Sequence, residues 1–192
     1  MQALRWCWLG CLAAGTLLSC SGAPAPAAVF SEQDARAVIE PVRFGWLSSE
    51  RETGSLPSAI ALGGKTSGRV LVYLEFPELE SARRLLRAEL LLRPSGAAGG
   101  RVPIEVSRAE AARSELLKWS DQPKALYPRL SAQLAVRPWP ERVDVTEILR
   151  AHARRREPLR LLLRAEPGDG EGVLLATGAS GGEPPRLEIY WQ

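Results

Sequence analysis

Apolar and polar residues alternate with a period of two in four segments of the chain. In residues 69–76, Val70, Val72, Leu74 and Phe76 fall on one side and Leu71, Tyr73 and Glu75 on the other. Ala88, Leu90 and Leu92 alternate with Arg87, Glu89, Leu91 and Arg93, and Leu159, Leu161, Leu163 and Ala165 with Arg160, Leu162, Arg164 and Glu166. Leu187, Ile189 and Trp191 alternate with Glu188 and Tyr190. This period predicts strands with one face in a core and one wetter face. Shorter candidate strands are 58–62, 102–107, 131–137 and 173–177, separated by breaks rich in Gly and Pro at 94–100, 138–140, 167–172 and 178–185.

Helical signals are few. Thr146 is placed to cap a helix running through Leu149, with Arg150 and Arg154, Arg155 and Arg156 toward its C-terminus and Pro158 beyond. Residues 109–118 form a second candidate helix, and residues 31–39 read as a first strand from Ala35. Many short strands and one or two short helices predict an all-β protein, an antiparallel two-sheet β-sandwich.

The N-terminus reads differently. Arg5 precedes a run without charge from Trp6 to Leu18, shorter than the roughly 20 residues a spanning helix needs and suited to a secretory signal. Leu17-Leu18-Ser19-Cys20 resembles a bacterial lipobox, which implies cleavage before Cys20 and lipidation of its thiol and new amine. Residues 21–28 are small, uncharged and rich in Pro and Ala, the composition of a tether. The domain division expected is therefore a signal peptide at 1–19, a lipidated tether at 20–29 and one domain at 30–192. The expected partner is a membrane, through the lipid. Ser21 after the cysteine resembles diderm lipoproteins sorted to the outer membrane.

Composition narrows the chemistry. The 192 residues carry a formal net charge of only +3, too little asymmetry for a dedicated nucleic-acid binder. All three cysteines (Cys7, Cys11, Cys20) lie in the first 20 residues, and His152 is the single histidine. No disulfide, thiolate nucleophile or cysteine-ligated zinc is expected beyond residue 20, and no catalytic residue, metal or cofactor is assigned.

The order of segments resembles the DNRLRE-domain family, secreted bacterial modules with a jelly-roll-like β-sandwich, some of them carbohydrate-binding. The resemblance rests on Arg69-Val-Leu-Val-Tyr-Leu-Glu-Phe76, Ala88-Glu-Leu-Leu-Leu92, Val143-Asp-Val-Thr146 and Pro185-Arg-Leu-Glu-Ile-Tyr190. It spans about residues 38–190 and implies a non-catalytic binding module. The hexapeptide that names the family is absent, Glu157-Pro158 replaces the Asn-Gly usual after the helix, and His152 stands where the family often has Trp.

Candidate site residues follow from chemistry that suits a sugar. Trp119 and Trp139 adjoin polar or Pro-rich loops, where an indole face stacks on a sugar ring while Asp121 or Arg137 bonds hydroxyls; the alternative is that both indoles seal the sandwich. Helix packing competes with a chemical role for His152, and a solvated helix end competes with binding of anionic glycan or lipopolysaccharide phosphate at Arg150 and Arg154, Arg155 and Arg156. Gly178-Ala-Ser-Gly-Gly182 matches G-x-S-x-G, but no helix and no later His follow, so a hairpin loop is expected. Gly64-Lys65-Thr66 resembles the end of a P-loop but has Ala59 where the first Gly belongs, and reads as a turn. The leading expectation is carbohydrate or envelope-protein binding. Two alternatives remain: a scaffold subunit of an envelope complex, and a polysaccharide-active enzyme using carboxylates such as Asp121 and Glu115, which needs two acids facing each other in a groove.

Overall fold

The computed structural model describes residues 35–50, 55–65, 67–79, 84–96, 100–114, 117–179 and 181–192. The signal segment, Cys20 and the tether lie outside the described residues, as do Thr66, Glu115 and Ser180. The strands are β1 (Ala35–Ile39), β2 (Arg43–Ser48), β3 (Ala59–Leu62), β4 (Val70–Glu78), β5 (Leu85–Leu92), β6 (Pro94–Ser95), β7 (Arg101–Ala109), β8 (Ala125–Ala135), β9 (Glu141–Asp144), β10 (Pro158–Ala165), β11 (Val173–Ala176) and β12 (Arg186–Trp191). Among the described residues one helix, α1 (Thr146–His152), joins β9 to β10, and one 3-10 turn, Trp119–Asp121, precedes β8.

Every pairing is antiparallel. A four-stranded sheet runs β1-β12-β5-β9 and a five-stranded sheet β2-β4-β10-β7-β8. A small third sheet, β3-β11-β6, was not expected; it recruits Pro94 and Ser95, whose composition reads as a turn. Inward residues of all three sheets form one core. Val72, Leu74 and Phe76 of β4, Ala88, Leu90 and Leu92 of β5, Leu161 of β10, Leu175 of β11 and Leu187 and Ile189 of β12 are each fully buried there. The expected alternation is thus observed, and the protein is an all-β antiparallel sandwich with one short helix.

Three local expectations are corrected. Residues 109–118 are not a second helix where described: Ala109 stays in register with Ala125, and Glu110 N–H donates to Lys124 O at 3.0 Å, so strand pairing claims the segment. Thr146 does not cap α1. Its hydroxyl accepts from Ala88 N at 2.9 Å, tying the helix to β5, while Asp144 Oδ1 accepts from Thr146 N at 2.9 Å. Hydrogen bonds from the Thr146 side chain and backbone hold the Asp144 carboxyl below the usual carboxylate range.

The third correction concerns the outer face of the five-stranded sheet, which is not wet. Leu47, Leu71, Tyr73, Ala109 and Leu162 are buried under Leu117, with Ala112 and Trp119 packed alongside. Gly45 makes room for this cover, since a Cβ there would lie 2.5 Å from Leu117 Cδ1. Tyr73 sits beneath with its hydroxyl donating to Glu75 Oε2 at 3.1 Å, and burial raises its pKa. Gly172, at φ +75°, lets β11 begin against β3, where a Cβ would meet Leu62 O at 2.5 Å.

A covered outer face has a measurable consequence. Leu162→Ala is expected to cost about 2–5 kcal/mol, like Leu161→Ala on the core side. Urea unfolding of both variants checks this; a Leu162→Ala effect within about 0.5 kcal/mol contradicts the cover.

Candidate functional site

The four residues expected to bind a sugar fall in two places. Trp119 begins the 3-10 turn, is half-buried, and packs on the cluster outside the five-stranded sheet beside Ala125; Asp121 ends the same turn, exposed. Trp139 and Arg137 lie in the turn after β8. Trp119 and Trp139 therefore adjoin opposite ends of β8, roughly 30 Å apart at strand spacing, and do not form one platform.

Trp139 is the more open of the two, with 59% of its surface exposed. Pro138 and Pro140 flank it and restrict its backbone. Arg137 Nε lies 3.8 Å from Glu141 Oε2, close enough for ionic attraction and too far for a hydrogen bond, so the guanidinium keeps donors for a ligand. Pro140 also lines a recess of about 230 Å³ at the edge of the four-stranded sheet, with Arg36, Val38, Leu91, Glu183 and Arg186. Glu183 forms ion pairs with Arg93 and Arg186, at N–O distances of 2.8 and 3.2 Å. An exposed indole thus sits one residue before a proline that lines a charged recess, groups whose chemistry suits stacking and polar contacts.

The outer face of the same sheet carries a connected polar network. Antiparallel register sets Glu89 of β5 directly opposite Glu188 of β12, and both are buried although they point away from the core. Arg142 of β9 bridges them, its Nη1 lying 2.6 Å from Glu89 Oε2 and 2.7 Å from Glu188 Oε2. Glu188 Oε1 accepts from Arg36 and from the Tyr190 hydroxyl, and Glu89 Oε1 from Arg87. Burial alone would raise the Glu188 pKa, but the bonds from Tyr190, Arg142 and Arg36 outweigh it and hold the carboxyl below the ordinary range. Its partners in turn raise the Arg142 pKa, through Glu89 first and then Glu188.

Two facing acids are what an enzyme reading would look for, yet every oxygen of this pair already accepts a bond from the protein. A general acid needs a raised pKa, and Glu188 has the opposite shift. The pair acts chemically as a lock between β5, β9 and β12. Among the described residues no group of three or more His, Cys, Asp or Glu is arranged to hold a metal ion.

His152 is buried at the end of α1, with Nε2 3.0 Å from Glu157 O. Arg150 lies against β5, its Nη2 3.4 Å from Leu86 O. Sequence patterning overlooks Tyr127, which is 78% exposed on β8 with the Arg129 guanidinium 5.2 Å from its ring centroid. The signal that points to it is Pro128: proline inside a strand marks a sheet edge, where alternate side chains face water.

Because the folded Glu188 releases its proton more readily than an unfolded glutamate, the unfolded chain binds more protons in acid. The stability Glu188 contributes is present above its ordinary value of 4.5 and is lost as pH falls through the lower folded value. Glu188→Gln is expected to cost about 1–2 kcal/mol at pH 7, discounted for the half-exposed Arg142, and progressively less below pH 4. Urea midpoints of the two chains at pH 7, 5 and 3 check this, and a gap that does not change with pH contradicts it. The chain matches no family model and no curated protein.

Proposed function

We propose that the chain is an outer-membrane lipoprotein whose sandwich is a non-catalytic module binding carbohydrate or an envelope protein. The observation that carries the binding half is Trp139, presented openly between two prolines beside the recess of Arg36, Glu183 and Arg186. The lipobox ending in Cys20 and the tether that follows it support the anchoring half. The resemblance to the DNRLRE-domain family supports the binding half. A lipid-anchored module needs little mobility of its own: the tether supplies reach, and a crosslinked lattice of strands keeps the turn in one geometry for its ligand. The site lies at an edge and a turn, where a long polymer can lie across the domain without entering it.

Two experiments test the halves separately. Cys20→Ala is expected to abolish acylation by mass spectrometry and leave the chain soluble or unprocessed; unchanged acylation contradicts the anchor. Trp139→Ala is expected to weaken binding to glycans identified on an array about tenfold while leaving thermal stability unchanged. Unaltered affinity moves the site elsewhere, and an empty array together with an empty envelope pull-down contradicts the binding module.

A further inference from the structure

β7 and β10 pair from Ile104 opposite Ala165 to Arg108 opposite Leu161 and then part, while β10 stays paired with β4 as far as Pro158. The fork opens a recess of about 360 Å³ against the end of α1, lined in part by Arg108, Glu110, Leu126, His152, Arg155 and Arg160. Its groups are unequal. Arg160 is matched by Glu75 and Glu157, and Arg155 by Glu157. Arg108 follows Val106 by two on the core side of β7 and is only 8% exposed. Its Nη1 donates to Ala151 O at 3.1 Å, yet among the described residues no carboxylate lies within ion-pair distance of it. Burial first, and then the like charge of Arg155, push its pKa down, against a smaller opposing attraction from Glu157.

His152 has a complementary need. A carbonyl only accepts, so the ring nitrogen 3.0 Å from Glu157 O is a protonated Nε2. Burial lowers the pKa of His152, which favours the neutral ring, in which Nδ1 is an acceptor. That Nδ1 is buried without a hydrogen-bond partner in a residue only 3% exposed. Glu110 and Glu157 also line the recess, but neither lies within ion-pair distance of Arg108, so among the described residues it holds one buried cation without a direct ion pair and one buried acceptor without a donor.

We infer that this recess binds a phosphate monoester in its singly protonated form, an ionised oxygen accepting from Arg108 and the remaining P–O–H donating to His152 Nδ1. An ionised carboxylate meets the first need and not the second, because it has no proton to give. The volume beyond the phosphate accommodates the group that bears it, either a sugar or a lipid headgroup. The assignment rests on the proposed role as an envelope-binding module and gives that module a second site, distinct from Trp139 in its lining and its chemistry.

His152 is the chain's only histidine, so selective ¹⁵N-imidazole labelling reports this recess alone. The full chain in phosphatidylcholine nanodiscs is titrated with glucose 6-phosphate near pH 6, where about half of the monoester is singly protonated. The expected result is a saturable upfield shift of Nδ1, absent with glucose, weaker with galacturonate, and at least about tenfold weaker in affinity in Arg108→Gln. Should that variant not fold, Arg155→Ala, at a side chain more than half exposed, is expected to weaken binding about 2–5-fold. Nanodiscs containing phosphatidic acid separate the sources: a shift there without added sugar phosphate assigns a lipid headgroup, and a shift only with sugar phosphate assigns a glycan. No shift under either condition, or equal affinity for galacturonate, overturns the site. Trp139→Ala leaves the shift intact, so loss of glycan binding at Trp139 contradicts the binding module while the phosphate site stands.

Discussion

The inward alternation of β4, β5, β10 and β12 is the constraint on which the remaining structure depends. Once Leu90 and Leu187 point into the core, strand geometry forces Glu89 and Glu188 outward and opposite one another. Two adjacent carboxylates are tolerable only with cations over them, and Arg142, Arg36 and Arg87 provide these. The same parity on the other sheet sends Leu71, Tyr73 and Leu162 outward, and Leu117 and its neighbours cover them. Both outer layers are consequences of one inner pattern.

This arrangement limits where a ligand has access. The middle of the four-stranded sheet is closed by ion pairs, and the middle of the five-stranded sheet by apolar packing. Open aromatic and charged groups are left to turns and strand ends, where Trp139, Tyr127 and the β7–β10 fork lie. A lock of five hydrogen bonds around Glu89 and Glu188 also joins β1, β5, β9 and β12, so the turn leading into β9 is anchored at its far side. Rigid presentation of a small surface suits recognition better than a lid or a moving cleft.

Much of the fold was legible from residue order, because half-buried strands announce themselves by alternation. What escaped did so for identifiable reasons. β2 is buried on both sides, with Phe44 and Trp46 against the core and Leu47 against the outer cluster, so Arg-Phe-Gly-Trp-Leu-Ser shows no period of two. β8 extends six residues before its expected start, Pro128 having masked an edge strand. The helix expected at 109–118 failed because Ala112 and Leu117 serve a flat sheet surface instead of a helical stripe. At the site, Trp139 was legible from its prolines, whereas the unmatched state of Arg108 and His152 was not. That state depends on a strand fork and on contacts more than 40 residues apart in the chain.

The proposed function joins a lipid anchor, a tether and a sandwich whose free chemistry lies at its margins. Its central claim is that recognition occurs at the β8–β9 turn and the adjoining recess. Hydrogen exchange of the full chain, with and without oligosaccharides released from the cell envelope, tests this most directly. The expected result is slowed exchange confined to residues 137–141 and 183–186. Protection spread over the sheet faces, or none at that turn when binding is saturated, would contradict the account.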